Sequence, residues 1–203
     1  MNEATPHPAN VLEQLKGRTR AEHIEIEIAL DLMRDDFLLA DYRRLLERYF
    51  SFYAPVEARL ACMLSSVQPG LDFEARRKLP LLRADLEALG AGSPDALALC
   101  DALPPLHTPA QALGCLYVLE GATLGGQVIG QHLRRRLGLT QALGARFFHG
   151  NGARTVEMWR SFRHVLTGFA ADAEATDTTD VMVESANATF RSLRRWCVRP
   201  PPA

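Results

Sequence analysis

Tyr117-Val-Leu-Glu-Gly121-Ala-Thr-Leu-Gly125-Gly126-Gln127, continuing as Val128-Ile-Gly130, is the stretch on which the fold is decided. It sits inside an apolar segment that opens with Thr108 as N-cap and Pro109 at the first helical position, and that runs to Leu137. The pattern predicts a helix, yet four glycines fall within ten residues of it. A glycine in a helix interior costs about 1 kcal/mol relative to alanine, so Gly121, Gly125, Gly126 and Gly130 together cost on the order of 3 to 4 kcal/mol. Two explanations are open. G-x-x-x-G occurs at 121/125 and at 126/130, and small residues let helices approach closely. Alternatively, a bulky flat ligand lies directly on the backbone of a helix kinked between Gly121 and Gln127, where any side chain would collide with it.

Outward from this segment the chain reads as helices. Leu12, Leu15, Thr19, His23, Ile26, Leu30 and Met33 recur at steps of three and four, which predicts one long helix from Val11 to about Met33. A second runs from Asp41 to Ser65, aromatic on its inner side and kinked at Pro55. A turn over Ser66 to Leu71 leads to a third, Phe73 to Leu89, which Pro80 divides. A short helix is expected over Pro94 to Leu103, a loop over Gly144 to Gly152 and a helix over Ala153 to Ala170. Asp172 to Asp180 reads as a solvated connection, and Val181 to Val198 as the last helix. The expected architecture is all-α and single-domain: a tail over residues 1–10, a multi-helix body over 11–198 and a Pro-rich tail over 199–203.

Composition agrees. Leu and Ala supply 58 of the 203 residues against 14 for Val and Ile, a bias toward helix formers. The net charge of -1 offers no basic field for nucleic acid. The chain starts without a secretory signal pattern, and no stretch approaches 18 uninterrupted apolar residues, so a membrane span is not expected. Cys62, Cys100, Cys115 and Cys197 are widely spaced and read as reduced thiols, which fits a cytoplasmic protein.

His23 is the candidate metal ligand. Glu27, one helical turn later, can accept a hydrogen bond from one imidazole nitrogen and leave the other free. Lys16 lies two turns earlier, about 10.5 Å away along a helix, where an ammonium could meet a carboxylate at a cofactor's edge. A diiron site would need Glu-x-x-His pairs, and the chain has none. One histidine, a glycine-rich helix and a carboxylate-binding cation together point to a heme between two helices.

At this point the sequence resembles a family. Leu15-Lys16-x-x-Thr19-x-x-x-His23-x-x-x-Glu27 is similar to the proximal helix of heme oxygenases, and Tyr117-Val-Leu-Glu-Gly121-x-x-x-Gly125-Gly126-Gln127 to their distal helix. The nearest type is the bacterial one associated with bacteriophytochromes. The resemblance covers residues 12 to 197 and implies opening of heme b by O2 and external electrons to biliverdin, carbon monoxide and ferrous iron. It implies His23 as iron ligand, with Gly121, Gly125 and Gly126 as distal backbone over the macrocycle. Thr19 and Glu27 fall in the heme-binding set, Lys16 and Arg160 match propionate-binding cations, and Phe190 matches an aromatic contact near the heme edge. A ferredoxin or NADPH-dependent reductase is the implied electron donor, and a bacteriophytochrome a possible recipient of biliverdin; neither nucleic acid nor membrane is an expected partner.

One position departs from the pattern. Many relatives carry an aspartate after the first distal glycine, and here it is Ala122. Water beside bound oxygen would then rest on backbone carbonyls, Thr123 or Gln127. Arg134, Arg135 and Arg136, with Arg191, Arg194 and Arg195, could make a basic face for an acidic donor or be an ordinary solvated surface. A heme carrier or sensor, and a heme-free helical protein whose glycines only pack, are the competing readings.

Overall fold

The structure, a computed structural model, describes residues 10–65, 71–172 and 177–199. Among them are eight α-helices: α1 Val11–Arg18, α2 Arg20–Leu30, α3 Leu39–Leu64, α4 Leu79–Ala88, α5 Pro109–Leu137, α6 Arg146–His149, α7 Thr155–Asp172 and α8 Thr178–Val198. No strand occurs among the described residues. The expected tails fall outside them apart from Asn10 and Arg199, as do residues 66–70 of the expected turn and 173–176 of the expected connection.

The opening helix is divided, not continuous. Asn10 starts α1 with a capping box, its side chain accepting from the Leu12 and Glu13 amides while Glu13 reaches back to the Asn10 amide. Thr19 interrupts it: its hydroxyl donates to the Leu15 carbonyl at 2.7 Å, competing with the helical ladder. The His23 amide still bonds the Thr19 carbonyl, so α2 carries on from the break. The helix ends at Leu30, because Asp31 turns left-handed at φ 40°, and Met33 is left 45% exposed in the following turn.

Pro55 sits inside α3 without ending it. A proline there removes the N–H that would bond the carbonyl four residues back. That carbonyl belongs to Ser51, and the Cys100 amide bonds it at 2.9 Å. The same contact explains a correction: Pro94 to Leu103 is not a helix but one 3-10 turn, Pro94–Ala96, followed by extended chain that lets Cys100 reach Ser51. Phe73 to Leu89 also divides as a 3-10 turn at Glu74–Arg76 and then α4, with Pro80 in its first turn. The expected loop at 144–152 contains α6, whose first amides, Arg146 and Phe147, both donate to the Asp85 carboxylate at 2.8 Å.

α5 forms the axis of the bundle, packed on α8, α3, α6 and α7. Its 29 residues run without the expected interruption at Gly121 to Gln127. By length and composition α5 could cross a membrane, but it is the core helix of the bundle, with 56% of its apolar window buried. The contact with α8 is backbone to backbone: a Cβ on Gly114 would fall on the Met182 carbonyl. Ser185 extends the same seam, its hydroxyl donating to the Gln111 carbonyl at 2.7 Å. Gly114→Ala should therefore destabilise the fold by about 1–3 kcal/mol through overpacking. Thermal unfolding of the ligand-free protein checks this as a drop in Tm of several degrees.

Candidate functional site

Two helices that hardly touch each other define the site. α2 packs on α8, α5 packs on α8, and extended packing between α2 and α5 is missing. Between them, the Tyr117 phenol of α5 meets the Thr19 hydroxyl at the α1–α2 break. Thr19 is 3% exposed, and burial raises the Tyr117 pKa. One turn beyond this junction, about 6 Å along each helix, α2 presents His23 and α5 presents Gly121.

The His23 side chain is 55% exposed. Its Nδ1 lies 3.5 Å from a Glu27 carboxylate oxygen, an electrostatic contact longer than an ordinary hydrogen bond. The buried Phe190 ring meets the imidazole edge-on, 5.6 Å between centroids. These contacts orient the ring while leaving Nε2 unused. Among the described residues, no group of three or more His, Cys, Asp or Glu side chains could hold a metal ion. A lone imidazole can serve as the single protein ligand of a metal whose other donors belong to a bound ligand, as with a porphyrin that fills four positions.

The glycines of α5 separate into two kinds. A Cβ on Gly121 or Gly125 would meet nothing within 4 Å. Gly126 faces into the protein, where a Cβ would press on the Phe148 carbonyl, and a Cβ on Gly130 would sit 3.8 Å from the His149 ring, in ordinary contact. Packing accounts for Gly126 and leaves Gly121 and Gly125 without a neighbour. Leu124 and Val128 extend that open face with exposed apolar side chains, as Ile24 and Ile28 do on α2. Paired apolar strips of this kind on a monomer surface mark a ligand groove or an interface.

The other expected residues are less closely gathered. Lys16 and Arg160 are exposed and in no ion pair among the described residues; they stand on α1 and α7, which pack together. Thr19 is a floor residue under the junction. Thr123 is turned inward, its methyl against Gly150, and so is removed from any water network beside Gly121. Ala122 and Gln127 are exposed. The six arginines do not form one basic face. Arg191 pairs with Glu22 at 3.1 Å and Arg194 with Glu25 at 2.9 Å, clamping α2 to α8. Arg134 to Arg136 lie at the opposite end of α5 from the Gln111–Ser185 contact with α8.

Sequence reasoning missed the charges buried behind α5. Glu120, immediately before Gly121, bonds Arg76 at 2.9 Å, with side chains 2% and 4% exposed. Arg76 also donates to the Met158 carbonyl and the Ser161 hydroxyl, tying α5 to α7 on both sides of Arg160. Glu57 accepts the Lys78 and Leu79 amides at the start of α4, and burial lowers the Lys78 pKa. A glutamate at the end of the apolar run 116–119 was the available signal.

Comparison with known proteins agrees across the chain. The heme oxygenase family model matches residues 9–199. A heme oxygenase of Xanthomonas campestris pv. campestris (strain 8004) is 35% identical over 126 residues, 62% of this chain and 71% of that protein. The structure is similar to NO- and CO-bound heme oxygenase from Neisseria meningitidis, with a TM-score of 0.76 at 20% identity over 96% of each chain. It is also similar to heme oxygenase-1 from Synechocystis sp. PCC6803 in complex with heme, with a TM-score of 0.74 at 16% identity over 93% of this chain and 91% of that one.

The division of the glycines can be tested without ligand. Gly121→Ala and Gly125→Ala should each hold or raise stability, by up to about 1 kcal/mol from helix propensity. Gly126→Ala should lower it by about 1–3 kcal/mol. Denaturant titration of the three variants distinguishes them.

Proposed function

The chain belongs to the heme oxygenase family and is a heme-degrading oxygenase, and from that premise we propose that heme b binds in the space between α2 and α5, with His23 Nε2 as its iron ligand. The observation that carries the reading is a half-exposed imidazole whose Nδ1 is engaged by Glu27, one turn from the junction that also sets Gly121 against open space. Bound heme supplies both the iron at which O2 is reduced and the ring carbon that is oxidised, so substrate and cofactor are one molecule. The products are biliverdin, carbon monoxide and ferrous iron.

The protein's part is position and electrostatics. Glu27 favours the tautomer with the proton on Nδ1 and keeps Nε2 available as a neutral donor. A neutral imidazole at His23 would give bound iron less electron push than a thiolate. Phe190, edge-on to the imidazole, restricts its rotation. Gly121 and Gly125 let the macrocycle approach main chain, and Gly126 serves by seating α5 on Phe148. Ala122 places no acid beside Gly121, which leaves protons on that side to water and backbone carbonyls. Lys16 and Arg160, exposed on the packed helices α1 and α7, would hold the propionates by charge-assisted hydrogen bonds. Thr19 acts from beneath by setting the junction. A ferredoxin or NADPH-dependent reductase supplies electrons. Four free thiols suit a reducing compartment, and the cytoplasm is the proposed location.

Purified protein given hemin, O2 and a reductant should turn green as biliverdin forms. His23→Ala should lose the histidine-ligated spectrum and this conversion, and Glu27→Ala should weaken heme affinity or turnover by roughly 10–100-fold. Hemin left intact by the wild type under these conditions would identify a carrier instead.

A further inference from the structure

Ala188, Arg191, Ser192, Arg195 and Trp196 share one face of α8, opposite Phe190 by helical spacing, and Arg199 follows as its extended C-cap. With the extended chain at residues 100–105 they enclose a half-open cavity of about 450 Å3. Its shape is fixed by the fold. The Ser192 hydroxyl donates to the Ala102 carbonyl, and the Trp196 indole N–H donates to the Arg48 carbonyl at 3.1 Å.

The lining combines apolar groups, Leu103, Pro104, Pro105 and Trp196, with the guanidiniums of Arg191, Arg195 and Arg199. Asp101 is the one acidic lining residue, 3.8 Å from Arg199 with both side chains exposed. Arg191 is held by Glu22, while Arg195 is exposed and in no ion pair among the described residues. With Arg191 on Glu22 and Arg199 facing Asp101, Arg195 is the cation left over, a local excess of positive charge in a chain of net charge -1. Guanidiniums bind carboxylate oxygens by paired N–H donors, and the volume lies in the range of small-molecule sites, about 300–1,000 Å3.

We propose that this cavity is a second binding site, separate from the space beside His23, for an amphipathic carboxylate: an apolar body against Trp196 and the prolines, with its acid group on Arg195 and Arg199. The site stands on its own residues and does not depend on the reading of His23. A fatty acid and an open-chain tetrapyrrole with acid side chains both present this chemistry.

Laurate and biliverdin would be titrated separately by calorimetry into the full chain saturated with hemin, with the Soret band reporting the His23 side independently. The Trp196 indole 1H–15N resonance, assigned with Trp159→Phe, reports the cavity. Binding of either ligand should shift that resonance and leave the Soret band in place. The double variant Arg195→Glu/Arg199→Glu should weaken binding by about tenfold or more, as expected for loss of charge-assisted hydrogen bonds. Asp101→Asn should tighten it, and both variants should keep the wild-type Tm and hemin uptake. Uptake of biliverdin alone, laurate alone or both supports the site and identifies the source of the carboxylate. Failure of both to bind, or binding that neither charge variant changes, overturns it.

Discussion

The rotational setting of α5 about its own axis is the constraint on which the site depends. Three contacts fix it. Gly114 lies against the Met182 carbonyl of α8, Glu120 is buried on Arg76, and Gly126 lies against the Phe148 carbonyl beside α6. None tolerates much rotation: two are backbone contacts without room for a Cβ, and the third is a buried ion pair, whose rupture typically costs 3–5 kcal/mol. With those directions taken, the face carrying Gly121 and Gly125 is left open. The same residues that make α5 a poor helix by propensity make it a well-located one.

α2 is held differently. Little of it is buried, and its contact with α8 rests on Glu22 and Glu25 pairing with Arg191 and Arg194, together with the His23–Phe190 ring contact. Partly exposed ion pairs of this kind are each worth about 1 kcal/mol or less. The His23 side is thus the softer wall and the glycine side the stiffer one. That division suits a helix that must adjust to a substrate which enters and leaves as chemically different molecules.

The helical class and the bounds of α5, from the Thr108 cap to Leu137, were legible because they rest on local spacing and on capping chemistry. What was not legible needed a partner distant in sequence. The 121/125 and 126/130 glycine pairs have the same spacing, and only the position of α6 separates one that packs from one that faces open space. The helix expected at Pro94 to Leu103 fails because Pro55 frees a carbonyl that Cys100 takes. Arg191 and Arg194 looked available to an outside partner because their acids lie on α2, 169 residues away. Glu120 was visible as a charge at the end of an apolar run, but Arg76, 44 residues earlier, gave no sign of meeting it. The break at Thr19, where the hydroxyl takes the Leu15 carbonyl and divides α1 from α2, was hidden within an unbroken helical periodicity.

The most direct measurement is a crystal structure of the hemin complex. The expected result has iron bonded to His23 Nε2, the Gly121 and Gly125 main chain against the other face of the ring, and Gly126 still seated on Phe148. Iron bonded to any other residue, or α5 turned so that Gly126 replaces Gly121 at the ring, would contradict the account.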